Sequence, residues 1–258
     1  MRIISICPSN TEILHALGLM NQVVALDDYS DWPPHETSKL PRLGPDLNIN
    51  MDQLESYEPD LVVASLSVPG MEKNIERLQE RGIPHVVLNP KTIEEIYNDI
   101  NLVSAHTGTE KKASEVISSL QERLEHVKEK AAKRTSTPRL YWEWWPRPFI
   151  SPAGGTWLTP ISELAGAVNI FHDKPGDSVV YQTAEEIINR QPDYIFVVWP
   201  GVDPRKINLA TVRNRDGWEQ IPAIRNNRIY VLEEGLYCRP SPRLFDGLEQ
   251  LFQLLHGE

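Results

Sequence analysis

The sequence predicts an α/β protein of two lobes, each with a parallel central sheet covered by helices, joined by one long backbone helix. A duplicated pattern supports this fold, with Glu-Pro-Asp-Leu-Val at residues 58–62 and Gln-Pro-Asp-Tyr-Ile at residues 191–195. In each copy Pro-Asp follows a helical run and opens an apolar stretch typical of a buried parallel strand. Residues 109–137 contain neither Gly nor Pro, so an uninterrupted helix fits between the two copies.

Strands and helices alternate along the first lobe, which we assign to residues 1–109. The chain opens with an apolar strand at residues 2–6, and residues 8–12 are predicted to be a turn that caps the first helix. Gly18 is expected to end that helix. Apolar, β-branched runs and helical spacing predict the other elements, which are strands at 23–26, 61–64 and 85–88 and helices at 51–56 and 71–81.

The second lobe, assigned to residues 136–258, repeats this alternation. Its predicted strands are 139–145, 194–198 and 229–232, and its predicted helices are 161–164, 183–189 and 243–255.

The connecting helix is assigned to residues 110–135. One face of it is apolar, because small and aliphatic residues recur three or four positions apart: Ala113, Val116, Ile117, Leu120, Leu124, Val127 and Ala131. Two α/β lobes held by a rigid helix favour a pre-formed cleft between the lobes that holds a ligand.

Composition narrows the classes of function. The net charge is −10, and residues 1–109 contribute most of it. An acidic lobe argues against nucleic acid as a partner, because nucleic acid binds basic surfaces. No apolar run approaches the roughly 18 residues of a transmembrane segment. Neither a secretory signal nor a lipobox is recognisable around Cys7, so the chain acts in the cytosol or an export segment is encoded elsewhere.

Catalytic motifs are missing from the sequence. The seven histidines never fall at metal-binding spacings, and the two cysteines, Cys7 and Cys238, are isolated near the expected ends of strands. We therefore expect no catalytic residue, no metal site and no enzymatic activity. Residues 153–157, with Gly154 and Gly155, are predicted to form a flexible loop, and the alternative is a loop whose amides bind an anion.

Aromatic residues are the best candidates for ligand contacts. Four tryptophans, Trp142, Trp144, Trp145 and Trp157, lie within 16 residues of each other. Rings at the carboxyl end of a sheet strand suit a large, flat, partly apolar ligand. Trp144 is the first candidate to line the cleft, and core packing is the alternative for all four.

Two glutamates occupy matching places in the two lobes, because Glu72 and Glu185 each fall in the first turn of a predicted helix. A carboxylate there stabilises the helix dipole, which by itself accounts for both residues. The alternative is that each forms a charge pair with an arginine of a docking partner.

Several stretches together resemble a known family of proteins. They are residues 6–12 (Ile-Cys-Pro-Ser-Asn-Thr-Glu), 28–34 (Asp-Tyr-Ser-Asp-Trp-Pro-Pro), 58–62, 166–171 (Gly-Ala-Val-Asn-Ile-Phe) and 240–243 (Pro-Ser-Pro-Arg). Nearly end to end, the chain resembles the helical-backbone class of substrate-binding proteins for ABC importers, which take up vitamin B12, ferric siderophores and haem. The loop at 28–34 and the segment at 239–243 resemble the cobalamin-binding branch most.

The resemblance implies a function and a set of site residues. The chain would bind a corrinoid, such as vitamin B12, between its lobes and deliver it to an ABC permease through Glu72 and Glu185. Members of the family act outside the cytoplasm in association with the membrane. The residues that the resemblance and the segment at 239–243 place at the ligand are Pro8, Tyr29, Leu66, Trp144, Trp157 and Arg239.

Two alternatives to a corrinoid carrier stay open. The first is a ferric-siderophore or haem carrier, for which Arg147, Arg205 and Arg239 would supply positive charge to the ligand. The second is a cytosolic enzyme or chaperone that handles a metal-tetrapyrrole, for which Cys7 and Cys238 would be candidate ligands.

Overall fold

The first part of the chain builds a four-stranded parallel sheet. The structure is a computed structural model that describes residues 1–257. The strands lie in the order β2-β1-β3-β4, and all their pairings are parallel. The elements are β1 (Ile3–Ser5), α1 (Pro8–Ala16), β2 (Val23–Leu26), α2 (Pro34–Thr37), α3 (Met51–Ser56), β3 (Leu61–Ser65), α4 (Glu72–Glu80), β4 (His85–Leu88) and α5 (Ile93–Thr107).

A second parallel sheet repeats the same order of strands. It runs β8-β5-β10-β11, so in both sheets the first strand lies between the second and the third. A small antiparallel sheet, β6-β7-β9, accompanies it. The elements are β5 (Arg139–Glu143), β6 (Trp145–Pro146), β7 (Phe149–Pro152), α7 (Leu158–Leu164), β8 (Val168–Asn169), β9 (Ser178–Tyr181), α8 (Glu185–Asn189), β10 (Tyr194–Val197), α9 (Leu209–Arg213), α10 (Pro222–Arg225), β11 (Ile229–Val231), α11 (Glu234–Tyr237) and α12 (Leu244–His256).

The predicted fold class is confirmed by these two helix-covered parallel sheets. Each sheet has its own hydrophobic core, with Ile4, Val62 and Leu78 in the first and Ile195 and Trp218 in the second. Every residue of β3 and of β10 is buried, as expected for central strands covered on both faces. None of the helices within residues 1–257 combines the length and the hydropathy that a membrane crossing requires.

The two copies of the duplicated pattern begin with the same unusual backbone conformation. Each follows a short helix, and the residue before the proline, Glu58 or Gln191, has a left-handed backbone with φ of 45° and 46°. A left-handed residue reverses the direction of the chain just after a helix. The proline then prevents the helix from continuing, so the following residues enter the strand.

The aspartate after the proline joins the repeat to the neighbouring strand. The carboxylate of Asp60 accepts a hydrogen bond of 2.6 Å from the backbone N–H of Arg2, and that of Asp193 accepts one of 2.9 Å from Arg139. The arginine side chains reciprocate, because their Nε atoms donate to the carbonyls of Tyr57 and Arg190. The repeat therefore fixes β1 beside β3 and β5 beside β10.

The long helix of the middle region is α6 (Glu110–Ala131), which has 22 residues. Its predicted apolar face is confirmed, because Ala113, Leu120 and Val127 are buried and the other four apolar positions are half-buried. The chain folds as two compact units, Met1–Leu120 with Pro240–Pro242, and Gln121–Arg239 with the residues from Arg243 onward. The assignment of residues 1–109, 110–135 and 136–258 to two lobes and a helix stays a prediction.

Several local predictions were wrong. Residues 8–12 are the first turns of α1 rather than a turn before it, because Pro8 occupies the first helical position, where its missing N–H costs nothing. Cys238 lies at the end of α11 instead of at the end of a strand. The helix α5 and the antiparallel sheet β6-β7-β9 were absent from the predicted elements.

Candidate functional site

The carboxyl ends of β1, β2 and β3 bring three predicted ligand contacts to one edge of the first sheet. Pro8 follows β1, Tyr29 follows β2 and Leu66 follows β3. Parallel strands end at the same edge, where α/β proteins commonly bind ligands. Tyr29 is 49% exposed, whereas Pro8 and Leu66 are half-buried. Leu66 also packs against the core and donates its N–H to the carbonyl of Leu88, at 2.9 Å.

A buried carboxyl group fixes the loop that carries Tyr29. Asp27 Oδ2 accepts hydrogen bonds from the backbone N–H groups of Tyr29 (2.8 Å) and Ser30 (2.9 Å), and Oδ1 accepts the Ser30 hydroxyl at 2.6 Å. Arg42 clamps the same loop by donating to the carbonyls of Asp27 and Ser30, both at 2.7 Å. Burial raises the pKa of Asp27 to about 6. The phenol of Tyr29 is therefore exposed on a loop whose backbone is held by internal bonds.

Small polar side chains surround this edge of the first sheet. The Thr11 hydroxyl lies 2.7 Å from that of Ser30 and donates to Ser5 at 2.8 Å. The thiol of Cys7 is buried and lies 3.3 Å from the hydroxyl of Ser9. Burial raises the pKa of Cys7, so the thiol is protonated at neutral pH and is a poor nucleophile.

In the second unit, the structure brings Trp144 and Trp157 together beyond the carboxyl end of β5. Their ring centroids are 6.3 Å apart. Trp157 is 5% exposed and donates its indole N–H to the carbonyl of Tyr237 at 2.8 Å. Trp144 is half-buried, and its buried indole nitrogen has no hydrogen-bond partner within residues 1–257. Trp142, by contrast, is a core residue, because it is fully buried and donates to Ser162.

The arginines differ in how much of their charge a ligand could use. Arg239 is buried and pairs with Glu234 at 2.9 Å, so most of its charge is compensated. Arg205 is exposed and pairs with Asp203 at 2.8 Å. Arg147 is exposed. An anionic ligand would find little uncompensated positive charge on Arg239 or Arg205.

Glu72 and Glu185 occupy the equivalent places that the sequence predicts. Each is the first residue of its helix, α4 or α8, and each is exposed. Glu72 accepts the backbone N–H of Gly70 at 2.8 Å, and hydrogen bonds from backbone groups lower its pKa. Glu185 makes no hydrogen bond or ion pair to another residue within 1–257. Both carboxylates are thus accessible to an arginine of another protein.

Sequence reasoning missed a buried ion pair near the tryptophans. Glu143, the last residue of β5, is fully buried, and Arg215 contacts both of its carboxylate oxygens, one of them at 2.9 Å. Tyr141 and Trp199 donate to the same carboxylate, each at 3.1 Å. Trp199 could have been found from the sequence, since it directly follows the predicted strand 194–198 of the second copy.

The glycine loop was wrongly predicted to be flexible. The amide of Gly154 donates to the carbonyl of Lys174 and that of Gly155 to Gly176, at 3.0 and 2.9 Å. A Cβ at Gly154 would come within 2.5 Å of the carbonyl of His172. Glycine is thus required by close backbone packing, and these amides are already used within the protein rather than offered to an anion.

Cysteine ligation and metal binding have no geometric support in the described part of the chain. No group of three His, Cys, Asp or Glu side chains within residues 1–257 is placed to hold a metal ion. Burial raises the pKa of Cys238 well above its usual value, and the nearby carboxylate of Glu234 adds to the effect. A protonated thiol is a weak metal ligand.

Comparison with known proteins identifies relatives over the whole chain. A family model described as "Periplasmic binding protein" matches residues 3–236. The uncharacterized ABC transporter substrate-binding lipoprotein YvrC of Bacillus subtilis is 32% identical over 262 residues, which cover 100% of this chain and 80% of the relative.

Two solved structures extend the comparison to three dimensions. The periplasmic vitamin B12 binding protein BtuF of Vibrio cholerae has a TM-score of 0.82 and 26% identity, over 98% of this chain and 96% of that one. A possible iron-binding (periplasmic solute-binding) protein from Staphylococcus epidermidis has a TM-score of 0.84 and 26% identity, over 99% and 98% of the two chains.

Proposed function

This chain belongs to the periplasmic binding protein family, and from this premise we propose that it is the substrate-binding component of an ABC importer whose ligand is a corrinoid. The observation that carries the choice of ligand is the tryptophan pair beyond β5, with ring centroids 6.3 Å apart. Indole faces bind flat, partly apolar rings, and a corrin is such a ring. The vitamin B12 binding protein of Vibrio cholerae, similar over almost the whole chain, supports the same ligand.

Each unit has candidate ligand contacts of its own beyond the ends of its strands. Pro8, Tyr29 and Leu66 follow strands of the first sheet, Trp144 follows β5, and Trp157 follows β7 and directly precedes α7. Arg239 would contact the ligand by packing rather than through its charge, because its guanidinium already pairs with Glu234. The ligand is thus held mostly by apolar contact and hydrogen bonding, which fits a large ring system of low net charge.

Delivery to the membrane is assigned to Glu72 and Glu185. Each is exposed at the start of a helix, one in each unit, so the two carboxylates would pair with arginines of the permease. The Bacillus relative is named a lipoprotein, which supports a place outside the cytoplasm at the membrane surface for this chain.

A second candidate is a carrier of an iron chelate, either a ferric siderophore or haem. The relative from Staphylococcus epidermidis, described as possibly iron-binding, favours it. Arg147 is the exposed arginine beside the tryptophan pair in the sequence and would meet a carboxylate of such a ligand. We place this candidate second, because the other two arginines considered are already paired with carboxylates.

Titration of tryptophan fluorescence tests the proposal. Cyanocobalamin, haemin and a ferric hydroxamate are added in parallel, and the wild type is compared with Trp144→Ala and with Leu102→Ala, which truncates an exposed apolar residue of α5. Saturable quenching by cyanocobalamin, weakened at least about tenfold in Trp144→Ala and unchanged in Leu102→Ala, is expected. Quenching by an iron complex alone would assign the protein to the second candidate, and no response to any of the three would reject both.

A further inference from the structure

A second pair of indoles lies at the same edge of the second sheet. Glu143 and Val197 are register partners at the ends of β5 and β10, and Trp145 and Trp199 each lie two residues farther along. Their ring centroids are 6.2 Å apart with an interplanar angle of 55°. Trp145 is 40% exposed, whereas Trp199 is half-buried.

Internal contacts fix both members of this pair. Trp145 lies in β6, and its backbone pairs with that of Ile150 in β7. The indole N–H of Trp199 donates to Glu143 Oε1 at 3.1 Å. Glu143 is in turn locked by Arg215, whose guanidinium lies 4.5 Å from the ring centre of Trp218. A buried carboxylate with four donors cannot move without leaving charge unpaired, so Trp199 is held in one orientation.

Core packing does not account for Trp145. A large apolar ring that is 40% exposed loses part of the free energy it would gain by burial, yet the strand pairing keeps it out of the core. Trp145 does not enclose Trp199 either, because Trp199 stays half-buried beside it. An exposed aromatic ring on a rigid support is what a ligand-contacting surface requires.

The spacing of the rings indicates how a ligand would meet them. Another ring does not fit between two rings whose centres are 6.2 Å apart, because each ring-to-ring contact needs about 3.5 Å. Because the two indole planes are tilted by 55°, a flat ring would stack on the more exposed Trp145 and meet Trp199 at an angle. Trp144 and Trp145 are consecutive in the chain, and each lies against a different second tryptophan, Trp157 or Trp199.

We propose that Trp145 and Trp199 form a second aromatic subsite that stacks on a flat conjugated ring of the ligand, with Glu143 as the residue that positions Trp199. The inference rests on the proposed function, because it extends the ligand site beyond the Trp144–Trp157 pair. In a corrinoid the flat ring would be the macrocycle itself or the heteroaromatic base of the nucleotide side chain.

Equilibrium dialysis with cyanocobalamin and cobinamide, which lacks the base, tests the subsite without using tryptophan fluorescence. The variants are Trp145→Leu and Trp199→Leu, which remove the rings, and Trp199→Phe, which keeps a ring and loses the bond to Glu143. Tyr230→Leu removes a half-buried aromatic ring from within β11 and is the control. The temperature of thermal unfolding is recorded for each variant to separate binding from stability.

The leucine variants are expected to weaken cyanocobalamin binding about tenfold, with a smaller loss in Trp199→Phe and no loss in Tyr230→Leu. If the leucine variants lose as much affinity for cobinamide as for cyanocobalamin, the stacked ring is the macrocycle. If they lose affinity for cyanocobalamin alone, the stacked ring is the base. Unchanged affinity in Trp145→Leu and Trp199→Leu, with normal binding by the wild type, would overturn the subsite and leave the carrier function intact. A wild type that binds neither compound would overturn both.

Discussion

Asp27 is a carboxylic acid with no exposed surface, placed at the base of the loop that carries Tyr29. Burial raises its pKa from 3.8 to about 6. Three hydrogen bonds to its oxygens oppose this shift and do not cancel it. Between these two pH values the folded protein keeps the proton and the unfolded chain loses it. The contribution of Asp27 to stability is therefore present below pH 3.8 and is lost as the pH rises through 6.

Asp27→Asn is expected to remove that pH dependence. A rise of about two pKa units corresponds to at most about 3 kcal/mol of unfolding free energy between pH 4 and pH 7. Asparagine keeps an acceptor for the two backbone N–H groups, and its amide can donate to Ser30 after the hydroxyl rotates. Urea unfolding at several pH values measures the change, with the exposed Asp28→Asn as the control. An unchanged slope in Asp27→Asn would show that another group titrates in this range.

In each copy of the duplicated turn, a residue other than glycine adopts the left-handed backbone conformation that favours glycine. Glu58 has φ of 45° and Gln191 has φ of 46°. Glu58→Gly is expected to stabilise the protein by about 0.5–1 kcal/mol, because relief of the backbone strain exceeds the entropy added to the unfolded chain.

Gln191→Gly offers an internal comparison for this prediction. The side chain of Gln191 donates to the carbonyl of Ile188 at 2.6 Å, and glycine would lose that bond. We expect a smaller gain than in Glu58→Gly, or none. Chemical denaturation of both variants measures the difference. A larger gain for Gln191→Gly would contradict the assignment of the effect to the backbone.

The helix α5 carries an acidic side chain in an unfavourable environment. One carboxylate oxygen of Asp99 is buried and has no hydrogen-bond partner in the described part of the chain, residues 1–257. Partial burial raises the pKa of Asp99 to about 7, with a smaller effect from Glu95. Ionisation above pH 7 therefore costs the folded state free energy.

Asp99→Asn is expected to stabilise the protein at pH 8, by about 1 kcal/mol after allowance for partial exposure to solvent. The gain should shrink towards pH 5, where the folded state of the wild type is already protonated. Thermal unfolding at both pH values measures it. Glu94→Gln, an exposed change on the same helix, is the control, and an equal gain at both pH values would point to helix propensity instead of charge.

At the scale of the whole molecule, the two units carry one exposed glutamate each at equivalent places. Glu72→Arg and Glu185→Arg are expected to abolish uptake of the ligand and to leave its dissociation constant unchanged, because like charges would face each other at the permease. Uptake of labelled ligand by cells and equilibrium dialysis of the purified protein measure the two quantities. Cells that carry Glu76→Arg, a change at another exposed position of α4, should take up ligand normally and serve as the control. Normal uptake by both glutamate variants would reject the docking assignment.

Local sequence signals were enough to predict the fold class and most of the elements. The strands 23–26 and 85–88 and the helix 51–56 were predicted to the residue, because apolar, β-branched runs and Pro-Asp turns are local signals. The repeat also implied two equivalent sheets. In the structure, its aspartate makes the same backbone contact in each sheet. Trp144 was selected because it lies at the carboxyl end of the predicted strand 139–145, and Tyr29 was selected through the resemblance to a known family.

Which side chains meet depends on the packing of distant elements, which no local pattern encodes. Trp142 and Trp145 look alike in the sequence, yet one is core and the other is 40% exposed, because β5 ends between them and β6 joins a different sheet. Glu143 and Arg215 are 72 residues apart, and no local pattern pairs them. The glycine loop is rigid for the same reason, because the carbonyls that bind its amides belong to a segment about 20 residues away. Periodicity shows on which face of its own element a residue lies, whereas these contacts depend on how distant elements pack.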